Sequence, residues 1–324
     1  MAAVTRCVTY PLLVTASSRD VQLPRQQRGT TPQHLLTTVL GDYWWGRREG
    51  LPSAALVQLA GEFGVTELAA RAALSRLARR GLLAAQREGR RTSYALTEEA
   101  DRVLTEGIGR ILTFGTSPPA WDGTWVVAAF SLPERQRDLR HAVRTRLRWL
   151  GFAPLYDGMW VSARQVAAEA RRVLAELGVR QSTVLRAEAV GQLDTHSLVA
   201  AWDLDEVRRV YADFTDRFTP LHQRISRGLI GTKEALVART EVMDIWRTLP
   251  GLDPELPAEL LSPDWPSGAA HRLFVEIYDA LGPLAEIRVR KIVAEHDSRL
   301  ANLVRYHSSI MDLGEAVPGR PPAG

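Results

Sequence analysis

Residues 64–96, GVTELAARAALSRLARRGLLAAQREGRRTSYAL, pass from a turn to a helix and then to a basic hairpin. Gly64-Val65-Thr66 makes the turn. A helix follows from Thr66 to Arg80, stopped by Gly81, because glycine readily takes the left-handed conformation that ends a helix. At 100° per residue Ala70, Ala73, Leu74 and Leu77 share a buried face. Ala72, Ser75 and Arg79 lie opposite, flanked by Arg71 and Arg76. Leu82–Gln86 and Thr92–Leu96 then read as two short strands around Arg87-Glu88-Gly89-Arg90. Upstream, Pro32–Trp44 reads as a helix ending in the aromatic cluster Tyr43, Trp44 and Trp45. Another begins at Ser53, an N-cap after Pro52, with Leu56, Leu59, Ala60 and Phe63 at helical spacing. Helix, short turn, helix and basic hairpin form the winged helix-turn-helix layout.

Residues 71–91 hold seven arginines against one acid, Glu88. A helix that reads DNA needs a slim face to enter the major groove and cationic forks for guanine and phosphate. The candidate contacts are Thr66, Arg71, Ser75, Arg76, Arg79 and Arg80 on the helix, with Arg87, Arg90, Arg91 and Tyr94 on the hairpin. An ordinary amphipathic helix with a solvated basic face is the competing reading. Clustering across helix and hairpin together favours double-stranded DNA as the partner.

The whole chain has 324 residues, 45% hydrophobic and 24% charged, room for two or three domains of ordinary soluble composition. Collagen-like, mucin-like and wholly disordered chains are excluded. No apolar run reaches the length of a membrane span, so no membrane partner is expected. The net charge is only +4, yet Lys233 and Lys291 are the only lysines among 41 basic residues. Arginine's planar fork pairs bidentately with phosphates and guanine edges, which lysine cannot do. The single cysteine, Cys7, allows neither an internal disulfide framework nor a thiolate zinc site, which suits a reducing cytoplasm. Residues 6–16, RCVTYPLLVTA, are broken by Thr9, Tyr10 and Pro11 and lack the apolar core of an export signal.

Residues 1–31 are polar and read as a disordered tail before a DNA-binding domain at 32–114. After a linker around Gly115–Ala120, residues 121–192 follow the order β-α-β-β-α-β, the ferredoxin-like arrangement. Its elements are Thr124–Ser131, Pro133–Leu150, two strands within Phe152–Ser162 around Asp157-Gly158, Ala163–Gly178 and Thr183–Val190. Leu139, Val143, Leu147 and Leu150 form the inner face of the first helix. Arg137, Arg140, Arg144 and Arg148 form its outer stripe, a solvated face or a phosphate-binding one. Residues 193–313 are mainly helical, at 205–227, 233–248 and much of 269–308. Prolines from Pro250 to Pro266 forbid a continuous helix between them, and Leu260, Leu261 and Trp265 are expected to plug that stretch onto the core. Residues 314–324 read as a disordered tail. The fold class is therefore α+β and multidomain.

Several strings resemble the PaaX-like regulators, the phenylacetate-catabolism repressor family. In the head these are Arg71-Ala-Ala-Leu-Ser-Arg-Leu and Arg79-Arg-Gly. In the middle they are Trp121-Asp-Gly-Thr-Trp, Phe130-Ser-Leu-Pro-Glu-Arg, Leu150-Gly-Phe and Gly158-Met-Trp-Val-Ser. Further on come Ala201-Trp-Asp-Leu and Leu256-Pro-Ala-Glu-Leu-Leu-Ser-Pro-Asp-Trp-Pro. The resemblance covers about residues 32–312, in the family's order. It implies a homodimeric transcriptional repressor released from its operator by a small-molecule effector, an aryl-acyl-CoA such as phenylacetyl-CoA. An aryl group needs apolar aromatic walls, for which Trp160, Trp202, Trp246 and Tyr278 are candidates. CoA phosphates need arginines, for which Arg140, Arg144 and Arg239 are candidates; aromatics at such positions are more often core.

Nothing in the sequence reads as an enzyme. Gly-x-Ser-x-Gly and His-Glu-x-x-His motifs are absent. Gly228-Leu-Ile-Gly-Thr-Lys misses phosphate-loop spacing and reads as helix punctuation. Glu295-His296-Asp297 has acids around a histidine, but adjacent helical residues point apart. The alternative is a metal-dependent nuclease built on the middle domain, which also resembles the small ferredoxin-like subunit of CRISPR spacer-acquisition complexes. Its first strand ends Ala129-Phe130-Ser131 without the clustered acids that two-metal chemistry needs. No cofactor and no metal site are expected.

Overall fold

The computed structural model describes residues 31–115, 120–133 and 135–309. The tails expected at 1–31 and 314–324 lie outside it except for Thr31, as do residues 116–119 of the expected linker. The described residues form two compact units, one of residues 120–202 and one joining 31–115 to 203–309. The chain mixes helices with two small antiparallel sheets.

The head begins with α1, Pro32–Tyr43, whose first turn is fixed by Thr31 accepting a hydrogen bond from the His34 amide. The short strand β1, Leu51–Pro52, leads into α2, Ser53–Gly61. Ser53 is the first helical residue and Pro52 occupies the cap without a side-chain bond, so the serine cap expected there is not formed. Gly64, at φ 77°, turns the chain into α3, Glu67–Arg79, capped by Thr66 accepting from the Ala69 amide. Ala70, Ala73, Leu74 and Leu77 are buried on α3, the face that the periodicity requires. Strands β2, Leu83–Glu88, and β3, Arg91–Leu96, pair in register from Leu83↔Leu96 to Glu88↔Arg91, leaving Gly89-Arg90 as a two-residue turn. β1 adds to the other edge of β3 through Leu51↔Tyr94. The head closes with α4, Glu98–Thr113, capped by Thr97 and carrying Glu98, Glu99 and Asp101 in its first turn, where the helix dipole favours acids.

In the unit of residues 120–202 the elements are β4, Thr124–Phe130; α5, Arg137–Trp149; β5, Ala153–Tyr156; β6, Met159–Ser162; α6, Ala167–Glu176; β7, Ser182–Glu188; and α7, Gln192–Val199. The sheet order is β5-β6-β4-β7, with every neighbouring pair antiparallel. Val126, Ala128, Trp160 and Phe152 pack against Val143 and Leu147 of α5 and Ala170 and Leu174 of α6. Gly158 is required by its site: its φ is +77° and an added Cβ would meet the Phe130 carbonyl oxygen at 2.5 Å.

The remaining helices are α8, Leu204–Ser226; α9, Thr232–Trp246; α10, Ser267–Ala294; and α11, Ser298–Ala301. Asp203 caps α8 by accepting from the Glu206 amide. Gly228, at φ +68°, ends that helix and Gly231 caps α9, the punctuation expected of the Gly228–Lys233 string. Two 3-10 turns, Leu249–Gly251 and Ala258–Leu260, fill the proline-rich stretch. Leu249 and Leu256 are the leucines buried there, while Leu260 and Leu261 are only half-buried. The expected plug is thus displaced upstream, because the turn at Ala258–Leu260 leaves those leucines on the rim; Trp265 does pack onto the core.

One continuous core joins the head to these helices, running from Leu36, Tyr43 and Phe114 to Trp246, Phe274 and Ile292. Polar ties cross the same junction. Thr38 donates to Asp244 at 2.8 Å, and Arg288 makes a two-pronged pair with Glu62 at 2.8 Å on each prong. That pairing holds the Glu62 carboxyl below its usual range.

Candidate nucleic-acid interface

The outward stripe of α3 is Leu68, Ala72, Ser75 and Arg79, spaced by four, three and four residues so that they stack on one side. Leu68 is 81% exposed. Sequence reading did not single it out; an apolar side chain held in water beside arginines becomes visible only in the structure. Arg71 is exposed and paired with Glu67 at 2.8 Å one turn back. Arg76 is half-buried at the edge of the helix, and its Nε is buried without a hydrogen-bond partner. Arg79 and Arg80 at the helix end, and Arg87, Arg90 and Arg91 on the hairpin, are all exposed. Ser75 is exposed beside them, whereas the Thr66 hydroxyl is engaged in capping α3. Tyr94 packs half-buried against the head core opposite Leu51. One helix and one hairpin therefore offer a cationic surface with a small-residue centre.

The residues considered for an effector are divided between the two units. Trp160 is buried in the middle unit, opposite Ala128 in the sheet and on the helix-covered face. Trp202 stacks on Trp125 at 6.3 Å, and Trp125 points to the other face, since neighbouring strand residues alternate. Arg140 donates to the Leu132 carbonyl at 2.9 Å, and Arg144 is exposed. Arg239 and Trp246 belong to the other unit and are core residues there. The Trp246 indole stacks on Phe274 at 4.5 Å and donates to the Ile111 carbonyl. The Arg239 guanidinium donates to the carbonyls of Tyr278 and His307 at 3.0 and 2.6 Å and faces Asp42 at 3.4 Å. Burial pushes the Asp42 carboxyl up, and Arg239 opposes that shift.

Beside this cluster a cleft of about 70 Å³ opens between α1, α4, α9 and α10. Gly41, Gly107, Ile108, Ile111, Met243 and Tyr278 form much of its wall. Among the described residues no group of three or more His, Cys, Asp or Glu could hold a metal ion. Glu295 and His296 both bond Gln58, and Asp297 caps α11, so this acidic cluster has structural partners. No helix among the described residues is long and apolar enough to cross a membrane.

Comparison with known proteins finds related sequences for three stretches of the chain. Residues 31–100 match the family described as PaaX-like protein, residues 118–199 the PaaX protein central Cas2-like domain, and residues 202–291 the PaaX-like protein C-terminal domain. The chain is 28% identical over 259 residues to the protein named transcriptional repressor PaaX of Escherichia coli (strain K12), covering 78% of this chain and 80% of that one. Among solved structures, uncharacterized protein Rv0674 from Mycobacterium tuberculosis aligns with a TM-score of 0.49 at 21% identity, over 82% of this chain and 99% of that one.

Proposed function

Because the chain belongs to the PaaX-like protein family, we propose that it is a DNA-binding transcriptional repressor whose head reads a duplex operator through α3. It is a regulator and not an enzyme. The observation that carries the reading is the cationic surface of α3 and its hairpin, where Arg79, Arg80, Arg87, Arg90 and Arg91 reach solvent around a centre of small residues. The helix-turn-helix followed by the β2–β3 hairpin, with β1 completing a three-stranded sheet, supports a winged-helix head. The order β-α-β-β-α-β with sheet order β5-β6-β4-β7 supports a ferredoxin-like middle domain, for which we propose a role in dimerisation. With two heads on a two-fold axis, the site would be roughly palindromic, with half-sites about one or two helical turns apart.

In this scheme α3 lies in the major groove. Leu68, Ala72 and Ser75 face base edges, Arg76 and Arg71 reach guanine, and the hairpin arginines hold phosphates. An effector releases the complex only if it prefers the DNA-free state, since equal affinity for both states shifts nothing. The proposed effector is an aryl-acyl-CoA thioester. In the unit that carries the head, the cleft between α1, α4, α9 and α10 offers apolar walls for a small aryl group, and α1 packs directly on α3. Footprinting on the DNA upstream of its own gene, followed by challenge with aryl-CoA thioesters, free CoA and the parent acids, tests both parts. A protected site released by the thioester alone supports the scheme. Absence of a protected site removes the repressor reading, and a complex stable to every thioester removes the effector.

A further inference from the structure

We propose that the outer face of α5 is a second DNA-binding surface, one that contacts the phosphate backbone of duplex DNA. The inference rests on the repressor reading above and adds a contact outside the head. Arg137, Arg140, His141, Arg144 and Arg148 fall within an arc of about 100° on this helix, centred roughly a quarter-turn from the side that buries Val143 and Leu147. The stripe rises about 16 Å along the helix axis. Asp138 is the only acid in the helix.

Three observations separate this face from an ordinary solvated one. First, several arginines on other helices answer a carboxylate about one turn away, as Arg71 does with Glu67, Arg209 with Glu206, and Arg290 with Glu286. Among the described residues Arg137, Arg144 and Arg148 face solvent with no carboxylate partner, a condition they share with Arg79 and Arg80 at the end of α3 and with Arg87, Arg90 and Arg91 of the hairpin. Second, the arrangement works against the helix itself. Arg137 and Arg140 stand in its first turn, where the dipole disfavours cations, and Arg140, Arg144 and Arg148 repel one another at i,i+4 spacing. A polyanion removes both penalties. Third, two of the four arginines are held in place by neutral groups. Arg140 donates to the Leu132 carbonyl, and the Arg148 guanidinium lies 5.7 Å from the centre of the Trp160 ring. Such anchoring orients a cation without neutralising it.

The test uses the full-length protein and the triple variant R137Q/R144Q/R148Q, with R209Q as a control drawn from a carboxylate-paired arginine. Binding to the operator and to unrelated duplex DNA is measured across a salt series. Each phosphate contact contributes about 0.9 to the slope of log K against log salt. The triple variant should lose about 2 to 3 from that slope on both DNAs, with the operator-to-unrelated affinity ratio unchanged and R209Q like the parent. A slope equal to that of R209Q overturns the inference. So does an unchanged slope with lost release by an aryl-CoA thioester, which would assign the stripe to the thioester phosphates. If the parent protein binds no duplex DNA, the repressor reading fails first and this inference with it. Unfolding midpoints matching the parent establish that the variant keeps its fold.

Discussion

The phenol of Tyr278 on α10 donates to Asp42 Oδ1 on α1 across 2.8 Å, fully buried. It ties the first helix of the head to the longest helix of the C-terminal region. Arg239 completes the arrangement, its guanidinium 3.7 Å from the Tyr278 ring centre and 3.4 Å from Asp42 Oδ2. The head is thus fastened to the helices behind it by a buried charge pair as well as by apolar packing.

Removing one partner of a buried ion pair leaves the other charge uncompensated. Arg239→Ala should therefore cost about 3–5 kcal/mol of stability. Tyr278→Phe keeps the ring under Arg239 and deletes only the donor to Asp42, so about 1–3 kcal/mol is expected. Urea unfolding of both variants checks the order. Equal and negligible losses would mean that Asp42 and Arg239 do not carry buried charge.

His307 supplies a pH dependence. Burial, with help from Arg239 and Arg47, lowers its pKa to about 4, against 6.5 for the free side chain. The unfolded chain therefore binds a proton between those values that the folded chain refuses. Stability is complete above about pH 6.5 and falls as pH drops toward 4, by at most about 3 kcal/mol. Below that window Glu62, whose carboxyl is held low by Arg288, adds a further loss as it protonates. His307→Phe keeps an aromatic edge for the Trp45 contact and removes the titration. Its stability should be flatter between pH 6.5 and 4; an identical profile would place the titration elsewhere.

The helices that bury one stripe were legible because their apolar residues recur at 3.6 spacing, as in α3 and α5. Other features depend on partners distant in sequence. β1 is two residues long and exists through Leu51↔Tyr94. α4 was missed although Thr97, Glu98 and Glu99 announce its start; Gly107 and Gly109 dilute its pattern, and its buried side is supplied by α1 and α9. Arg239 and Trp246 carry the chemistry of a ligand pocket, and only the packed core reveals that each is already satisfied. Among the residues proposed to contact DNA the arginines announced themselves by number, whereas Leu68 looked like any other leucine until its exposure was known.

Gly107 gives access to the cleft without disturbing the core. It lies within α4 on the cleft wall, and an added Cβ would meet nothing within 4 Å. Gly107→Leu should fold as well as the parent or better, since leucine favours a helix over glycine by roughly 0.5–1 kcal/mol. It should also occupy the space offered to an aryl group. The expected result is operator affinity within about threefold of the parent, with the thioester concentration needed for release raised at least about tenfold, a change near 1.4 kcal/mol. Unchanged release would exclude the cleft as the effector's seat.

The α3 surface predicts two separable kinds of loss on DNA. In the proposed docking Arg76 stands at the groove-facing edge of the helix, so Arg76→Ala should cost about 1–3 kcal/mol on the operator and relax base choice at one position. Leu68 is nearly free of the fold, so Leu68→Ala should leave unfolding unchanged while lowering operator affinity on the order of 1 kcal/mol where a thymine methyl meets it. Arg90 lies in the hairpin turn and Arg91 beside it, and in the proposed docking both meet only phosphate. Arg90→Gln and Arg91→Gln should weaken all duplexes alike, each removing about 0.9 from the salt slope. Binding measured on an operator library at two salt concentrations separates the classes. If Arg76→Ala weakened every sequence equally, or Arg90→Gln changed the preferred base, the helix and hairpin would have exchanged roles and the docking orientation proposed for α3 would be wrong.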